Sequence, residues 1–359
     1  MTVERQRYQG LGSIVEVVGA PPSLQRHMEA LLGSPVADVG PVDVRVHVVG
    51  ADREPARERL IAGPEMDWDG SELRLRQPGG WLKIPAGALS GEPIELTCVE
   101  GTRKLPILRP LLFARACASG NLPIHGPAFM IDDLAYVATG WPRSAKTGLL
   151  LGVIATGGSA ICAEHATLDP ATGSMSPGSE PIFARAWHLR QFGSKVPLVP
   201  RSARLRVTLL DRALSVAMML PGPAGRAARF RRDALSVRLT PRAVRYRAVP
   251  ATVSGVVFLT ATTHGSVTIA RISASEAAAR LAALFEVEVA ELAAAESRLG
   301  YVGGADGGVS IHALVGRYRA RASALAKSIE TVELRHGPEP ALGDMVAALR
   351  SVRPESARV

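Results

Sequence analysis

The segment that most restricts this chain is an octapeptide set between two apolar stretches, Gly140-Trp141-Pro142-Arg143-Ser144-Ala145-Lys146-Thr147. It obeys the frame Gly-x-x-x-x-Gly-Lys-(Ser/Thr) at every defined position except Ala145, where glycine is expected. Ahead of it, Ala128–Ile131 and Ala135–Thr139 flank Asp132-Asp133 and predict a strand hairpin running into the loop. Behind it, Thr147–Ala155 predicts an apolar helix that ends at Gly157-Gly158. Strand, loop and helix in that order imply an α/β unit and exclude an all-β or all-α core at this point of the chain.

The frame has a physical basis. Backbone N–H groups of such a loop point inwards, and the helix that follows adds the positive end of its dipole, so the loop favours an anion. In that arrangement Lys146 meets phosphate oxygens, and the Thr147 hydroxyl is a ligand for Mg²⁺. Gly140, Arg143, Ser144, Ala145 and Gly148 complete the expected nucleotide-binding set. Ala145 is the departure that matters. If its position needs a positive φ, its Cβ costs about 1–2 kcal/mol. Lysine is otherwise scarce: Lys83, Lys104, Lys195 and Lys327 are the remaining ones, and arginine supplies the rest of the 42 basic residues. A compact ammonium on a thin stem suits contact between phosphate oxygens.

The neighbourhood of the loop carries a resemblance. Gly140 follows the His125-Gly126 pair by fifteen positions counted from His125, and the apolar run Ser159–Ala163 leads to Glu164-His165. With these features Leu122–Leu168 resembles the catalytic core of the HPr kinase/phosphorylase family, which shares its nucleotide fold with phosphoenolpyruvate carboxykinases. The resemblance implies a mixed-sheet core binding ATP and Mg²⁺, with Glu164 as base or metal ligand at the family's acid position. It implies that His125 supports that acid and that His165 stands in the second acid position. The implied activity is transfer of the γ-phosphoryl group to a hydroxyl of a peptide, protein or small metabolite. The glycine-rich loop has become Trp-Pro-Arg-Ser-Ala and the acid pair Glu-His, so a degenerate nucleotide-binding or scaffolding protein is the alternative. A homo-oligomer is compatible with the resemblance.

Around this core the patterns predict three consecutive regions: a small α+β domain over 1–104, the nucleotide-binding core over 105–272, and a mainly helical region over 273–359. In the first, Ser13–Val18, Val42–Val49, Trp81–Ile84 and Ile94–Val99 read as strands, and Met66–Gln77 as a hairpin turning at Asp69-Gly70. Pro22–Leu32 reads as a helix with Ser23 as its cap, and Leu105–Ala118 as an apolar helix. Further on, Leu205–Leu210, Leu235–Leu239 and Val253–Thr260 read as strands, with mobile loops at Ala171–Pro181 and Pro221–Gly225. Arg226, Arg229, Arg231 and Arg232 follow the second loop and suit a phosphate clamp or a solvated face. Ser273 or Ser275 caps a helix through Leu284 that continues from Glu288 to Leu299, and Tyr301–Gly308 breaks it. Helices at Ile311–Ala326 and Leu342–Val352 flank a strand at Thr331–Leu334.

Composition narrows the partners. The net charge of +9 invites anionic ligands, but the basic residues are spread out and lack interleaved aromatics, so nucleic acid is the less favoured partner. No apolar run reaches the ~20 residues of a membrane-spanning helix, and Met1–Gly10 has no apolar stretch behind it, so a cytoplasmic location is expected. Cys98, Cys117 and Cys162 are far apart and read as buried thiols rather than a zinc or disulfide framework.

Overall fold

A computed structural model describes residues 4–37, 40–50, 60–63, 65–85, 93–178, 180–192, 199–239, 246–247, 249–263, 265–301, 310–338 and 340–352. In chain order the first elements are β1 (Arg5–Gly10), β2 (Ser13–Val18), α1 (Pro22–Leu32), β3 (Val44–Val49) and β4 (Leu60–Gly63). They are followed by β5 (Met66–Trp68), β6 (Glu72–Gln77), β7 (Gly80–Pro85), β8 (Ile94–Val99) and α2 (Leu108–Ala118). The middle of the chain forms β9 (Leu122–His125), β10 (Ala128–Ile131), β11 (Leu134–Thr139), α3 (Lys146–Ala155), β12 (Ser159–Cys162) and β13 (His165–Leu168). Then come β14 (Ser174–Met175), β15 (Ile182–Arg185), α4 (Ala186–Phe192), α5 (Arg201–Ala217), α6 (Pro223–Ala234) and β16 (Ser236–Leu239). The last elements are β17 (Ala251–Ala261), β18 (Thr268–Arg271), α7 (Ala274–Tyr301), α8 (Ile311–Ser328), β19 (Glu330–His336) and α9 (Leu342–Ser351). The chain is therefore mixed α/β, as its patterns imply.

Two compact units emerge, and each draws on separated stretches rather than on the consecutive regions 1–104, 105–272 and 273–359. The first comprises Met1–His125, His165–Glu180 and Ser273–Ser328; the second Gly126–Glu164, Pro181–Ile272 and Ile329–Val359.

In the first unit an eight-stranded sheet runs β1-β2-β3-β8-β7-β6-β5-β4. Its parallel pairs are β2 with β3 and β3 with β8, joined by longer connections, while the remaining neighbours are antiparallel. The Asp69 carboxylate fixes the β5–β6 turn by accepting the N–H groups of Ser71 (3.0 Å) and Glu72 (2.9 Å). On the polar face Glu16, buried to 1% exposure, receives Arg7 at 2.9 Å and Arg45 at 2.7 Å. The helices α2, α7 and α8 form the apolar half of this unit. There the Phe285 and Tyr318 rings stack at 4.2 Å, and the Tyr318 hydroxyl donates to the Pro123 carbonyl at 3.0 Å.

The second unit is built on strands in the order β12-β10-β11-β17-β19-β18. β11, β17 and β19 are parallel to one another, and β10 is antiparallel to both β11 and β12. Hence β12, β11, β17 and β19 point the same way, and their carboxyl ends share one edge of the sheet. Asp132 and Asp133 take φ of 49° and 62°, the left-handed pair that a two-residue hairpin needs. Leu149, Leu150, Leu151 and Val153 of α3 pack with Leu342, Met345, Val346 and Leu349 of α9 and the sheet residues Val257, Leu259, Val332 and Leu334. Nearly every apolar position of α3 is buried, and this fixes the helix start under the carboxyl edge.

Four readings are corrected. Leu205–Leu210 is not a strand but part of α5, whose Val207 and Asp211 are its buried residues. A spacing of four places them on one helical face, whereas six residues of mixed polarity can imitate a strand. Pro221–Gly225 is not an open loop: Pro223 begins α6, with Gly222 at the cap with φ 77°. Pro21, not Ser23, precedes α1, and no side chain caps that helix. Ala171–Pro181 is partly ordered by β14 and by the Asp169 carboxylate, which accepts the Ala171 N–H at 2.8 Å. The Ser273 cap does form, accepting the Glu276 N–H at 3.2 Å, and α7 runs unbroken past Leu284. The break expected over Tyr301–Gly308 lies, apart from Tyr301, outside the described residues.

Candidate functional site

The loop from Gly140 to Ala145 leaves the carboxyl end of β11 and turns directly into α3. Gly140 sits at φ 152°, and a Cβ there would lie 2.5 Å from the Leu259 carbonyl oxygen and 2.7 Å from Ser144 Oγ. Only glycine fits between the loop and β17. Ala145 is the residue before the helix and holds φ 59°, ψ 21°, in the left-handed region, while its carbonyl accepts the Leu149 N–H at 2.9 Å. Arg143 is left-handed too, at φ 71°. The loop thus keeps a conformation suited to glycine at two positions that carry side chains.

Its tethers hold that shape. The Ser144 N–H donates to the Trp141 carbonyl at 3.1 Å, and the Ser144 carbonyl lies 3.1 Å from Nε2 of His336, at the end of β19. Lys146 folds back, donating from Nζ to the carbonyls of Gly140 (2.6 Å) and Trp141 (3.1 Å). Trp141 stands out from the loop at 58% exposure.

Above the start of α3 lies a cavity of about 280 Å³, lined among others by Arg143, Ser144, Lys146, Thr147, Arg185 and His188. Three of these carry positive charge, and no carboxylate lines it among the described residues. Two of its wall residues hold buried polar atoms without a hydrogen-bond partner among the described residues, Ser144 Oγ and His188 Nε2. Buried polar groups are nearly always satisfied, so both atoms call for a partner, whether water or a polar ligand. The volume lies just below the roughly 300–1,000 Å³ of common small-molecule sites.

The sequence-predicted residues divide between the two units. Gly140, Arg143, Ser144, Ala145, Lys146, Thr147 and Gly148 lie together in the second. Glu164 follows β12 in the same unit, at the carboxyl edge from which the loop also emerges. Two strand spacings, about 10 Å, separate β12 from β11, and Glu164 is not among the residues lining the cavity. Arg185, Trp187, His188 and Pro338 line it without having been singled out by the sequence; they fall in no motif, and only folding brings β15, α4 and the end of β19 to α3.

His125 and His165 belong to the first unit, where they pair across β9 and β13 with ring centroids 5.3 Å apart. His125 Nδ1 is hydrogen-bonded to Glu288 of α7, and Arg109 approaches the same carboxylate at 3.4 Å. Burial raises the Glu288 pKa, but the His125 hydrogen bond and the charges of His125, Arg109 and His165 outweigh it and leave it below the ordinary value. His165 is buried, with Nδ1 3.6 Å from Glu180 and its ring edge-on to Phe113 at 5.7 Å. Glu288 lies inside a helical pattern that gave no sign of this role.

The arginines of α6 do not form a clamp. Arg232 donates to Asp211 of α5 at 2.8 Å, and Arg190 of α4 pairs with the same carboxylate. Arg226, Arg229 and Arg231 are exposed. No group of three or more His, Cys, Asp or Glu side chains placed to hold a metal occurs among the described residues. Mg²⁺ needs no such cage, because it commonly keeps water and takes one or two protein oxygens with phosphate. Thr147 is the hydroxyl-bearing residue next to Lys146 among those that line the cavity. No helix of the described residues is long and apolar enough to cross a membrane. Compared with models of known protein families and with curated proteins, the chain matches none.

Proposed function

We propose that the cavity at the start of α3 binds the polyphosphate of a nucleotide, and that the chain is a Mg-ATP-dependent phosphotransferase with a hydroxyl acceptor. One observation carries the reading: Arg143, Lys146 and Arg185 meet the unpartnered Ser144 Oγ and His188 Nε2 on a single cavity at a helix N-terminus. Cations and donors gathered on one concave surface favour a polyanion. Lys146 exchanges its loop carbonyls for phosphate oxygens, and Thr147 supplies a metal ligand. In the reaction the acceptor oxygen bonds to the γ-phosphorus while the bond from that phosphorus to the bridging oxygen breaks, releasing ADP. Glu164, on the same sheet edge, is the carboxylate assigned to orient the hydroxyl and take its proton. His125 and His165 enter only through the resemblance to HPr kinases; their structural partners are Glu288 and Glu180. The acceptor class is a peptide, a protein or a small metabolite.

Purified protein with Mg-ATP and a hydroxyl-bearing acceptor is expected to turn over, and Lys146→Ala to abolish that turnover. Equal rates in the two proteins would overturn the assignment. A second reading, nucleotide binding without transfer, is favoured because Glu164 is not among the residues that line the cavity. Calorimetry that finds ATP binding in a protein with no turnover, in wild type and after Glu164→Gln alike, would select it.

A further inference from the structure

His188 is the wall residue whose chemistry is most tightly fixed. It lies in α4 two residues after its start and is 3% exposed. The backbone N–H of Arg185 donates to His188 Nδ1 at 2.9 Å. That bond requires a lone pair on Nδ1, so the proton of the neutral ring resides on Nε2. The Trp187 ring packs against the imidazole with centroids 3.9 Å apart and limits its rotation. Burial, followed by the charge of Arg185, pushes the His188 pKa down to about 3, which keeps the ring neutral at physiological pH.

Nε2 therefore carries the N–H of the ring. It has no hydrogen-bond partner among the described residues, and it lies 3.5 Å from where a Cβ on Gly148 would stand, beside the first turn of α3. His188 lines the same cavity as Lys146 and Thr147. A buried donor without an acceptor is unfavourable, and a ligand acceptor removes that cost. With Arg143, Lys146 and Arg185 around it, that acceptor is an anionic oxygen.

We propose that His188 is a ligand-binding residue whose Nε2–H donates to a non-bridging phosphate oxygen of the polyphosphate held by the Lys146 loop. Because the ring stays neutral, it contributes a directed hydrogen bond without adding charge or passing a proton to the phosphate. The inference rests on the phosphate-binding reading of the cavity and adds to it a neutral, fixed-tautomer side-chain donor among its cations.

Calorimetry with pyrophosphate and with Mg-ATP on wild type, Lys146→Ala, His188→Ala and His188→Gln tests it. Loss of a hydrogen bond to a charged group is expected to weaken binding about tenfold or more in His188→Ala. His188→Gln, which keeps an N–H donor of similar reach, is expected to recover most of that loss. Nitrogen-15 spectra of histidine-labelled wild type are expected to show an unprotonated Nδ1 and a protonated Nε2 whose resonance moves when pyrophosphate is added. That measurement stands even if His188→Ala does not fold. Unchanged affinity in His188→Ala while Lys146→Ala loses binding, a proton found on Nδ1, or an Nε2 resonance indifferent to pyrophosphate would overturn the role of His188 alone. Failure of wild type to bind either pyrophosphate or Mg-ATP would overturn the phosphate reading, and the role of His188 with it.

Discussion

Ala145 holds a left-handed backbone at φ 59° immediately before α3, where glycine would pass without penalty. A Cβ in this region costs about 1–2 kcal/mol, while glycine gives back about 0.5–1 kcal/mol of that as chain entropy in the unfolded state. Ala145→Gly is therefore expected to stabilise the protein by roughly 0.5–1 kcal/mol. Denaturant unfolding checks it, and a destabilised variant would mean that the methyl group's packing outweighs the strain. The requirement for a positive φ here was legible in the sequence, because the frame places glycine at this position. The opposite holds for His188 and Arg185, since a histidine between Trp187 and Leu189 carries no mark of the cavity it lines. Its tautomer comes from a hydrogen bond that only the turn between β15 and α4 creates.

At the scale of elements, the hairpin, loop and helix were readable because each has its own local cause. Asp132-Asp133 turns the chain, Gly140 permits the close approach to β17, and the apolar run of α3 demands burial. The α5–α6 pair was misread because its order depends on one side chain. Asp211 is buried on α5 and receives Arg232 of α6 at 2.8 Å as well as Arg190 of α4. The surfaces beyond it are exposed, including Leu205, Leu209, Met219 and Phe230, so apolar packing contributes little to this pair. Asp211→Ala is expected to cost about 1–2 kcal/mol, since both arginines are partly open to water and can be resolvated. Hydrogen exchange should show it as faster exchange in α5 and α6 with α3 and β11 unaffected. Protection unchanged in α5 and α6 would show that backbone and apolar contacts suffice.

Across the whole chain, stability has a defined acid dependence. His188 in the second unit and His27 in the first both have folded pKa values below the ordinary 6.5, with burial as the leading cause. The unfolded chain therefore takes up protons that the folded chain refuses as pH falls below 6.5, and stability declines with it. Glu288, held below its ordinary 4.5, adds a second loss at lower pH, as its stabilising ionised form is protonated. Both effects have the same sign. Melting temperature is expected to be level above about pH 7 and to fall towards about pH 5, with His188→Gln removing part of that fall. A melting temperature independent of pH across this range would refute the neutral burial of His188.

By itself the sequence determined the glycine-to-lysine loop, the strand and helix that flank it, and the places of most other elements, since these follow from periodicity, turn residues and local sterics. It also determined that Lys146, Thr147 and Ser144 lie within one turn of a helix start. Only the tertiary structure decided that Arg185 and His188 join them, that Glu164 shares the sheet edge without reaching the cavity wall, and that His125 and His165 pair with Glu288 and Glu180 in the other compact unit. The physical reason is range. Backbone conformation is set by neighbours a few residues away, whereas the partners of a charged or polar side chain are set by strand order and burial, which bring together residues distant in the chain.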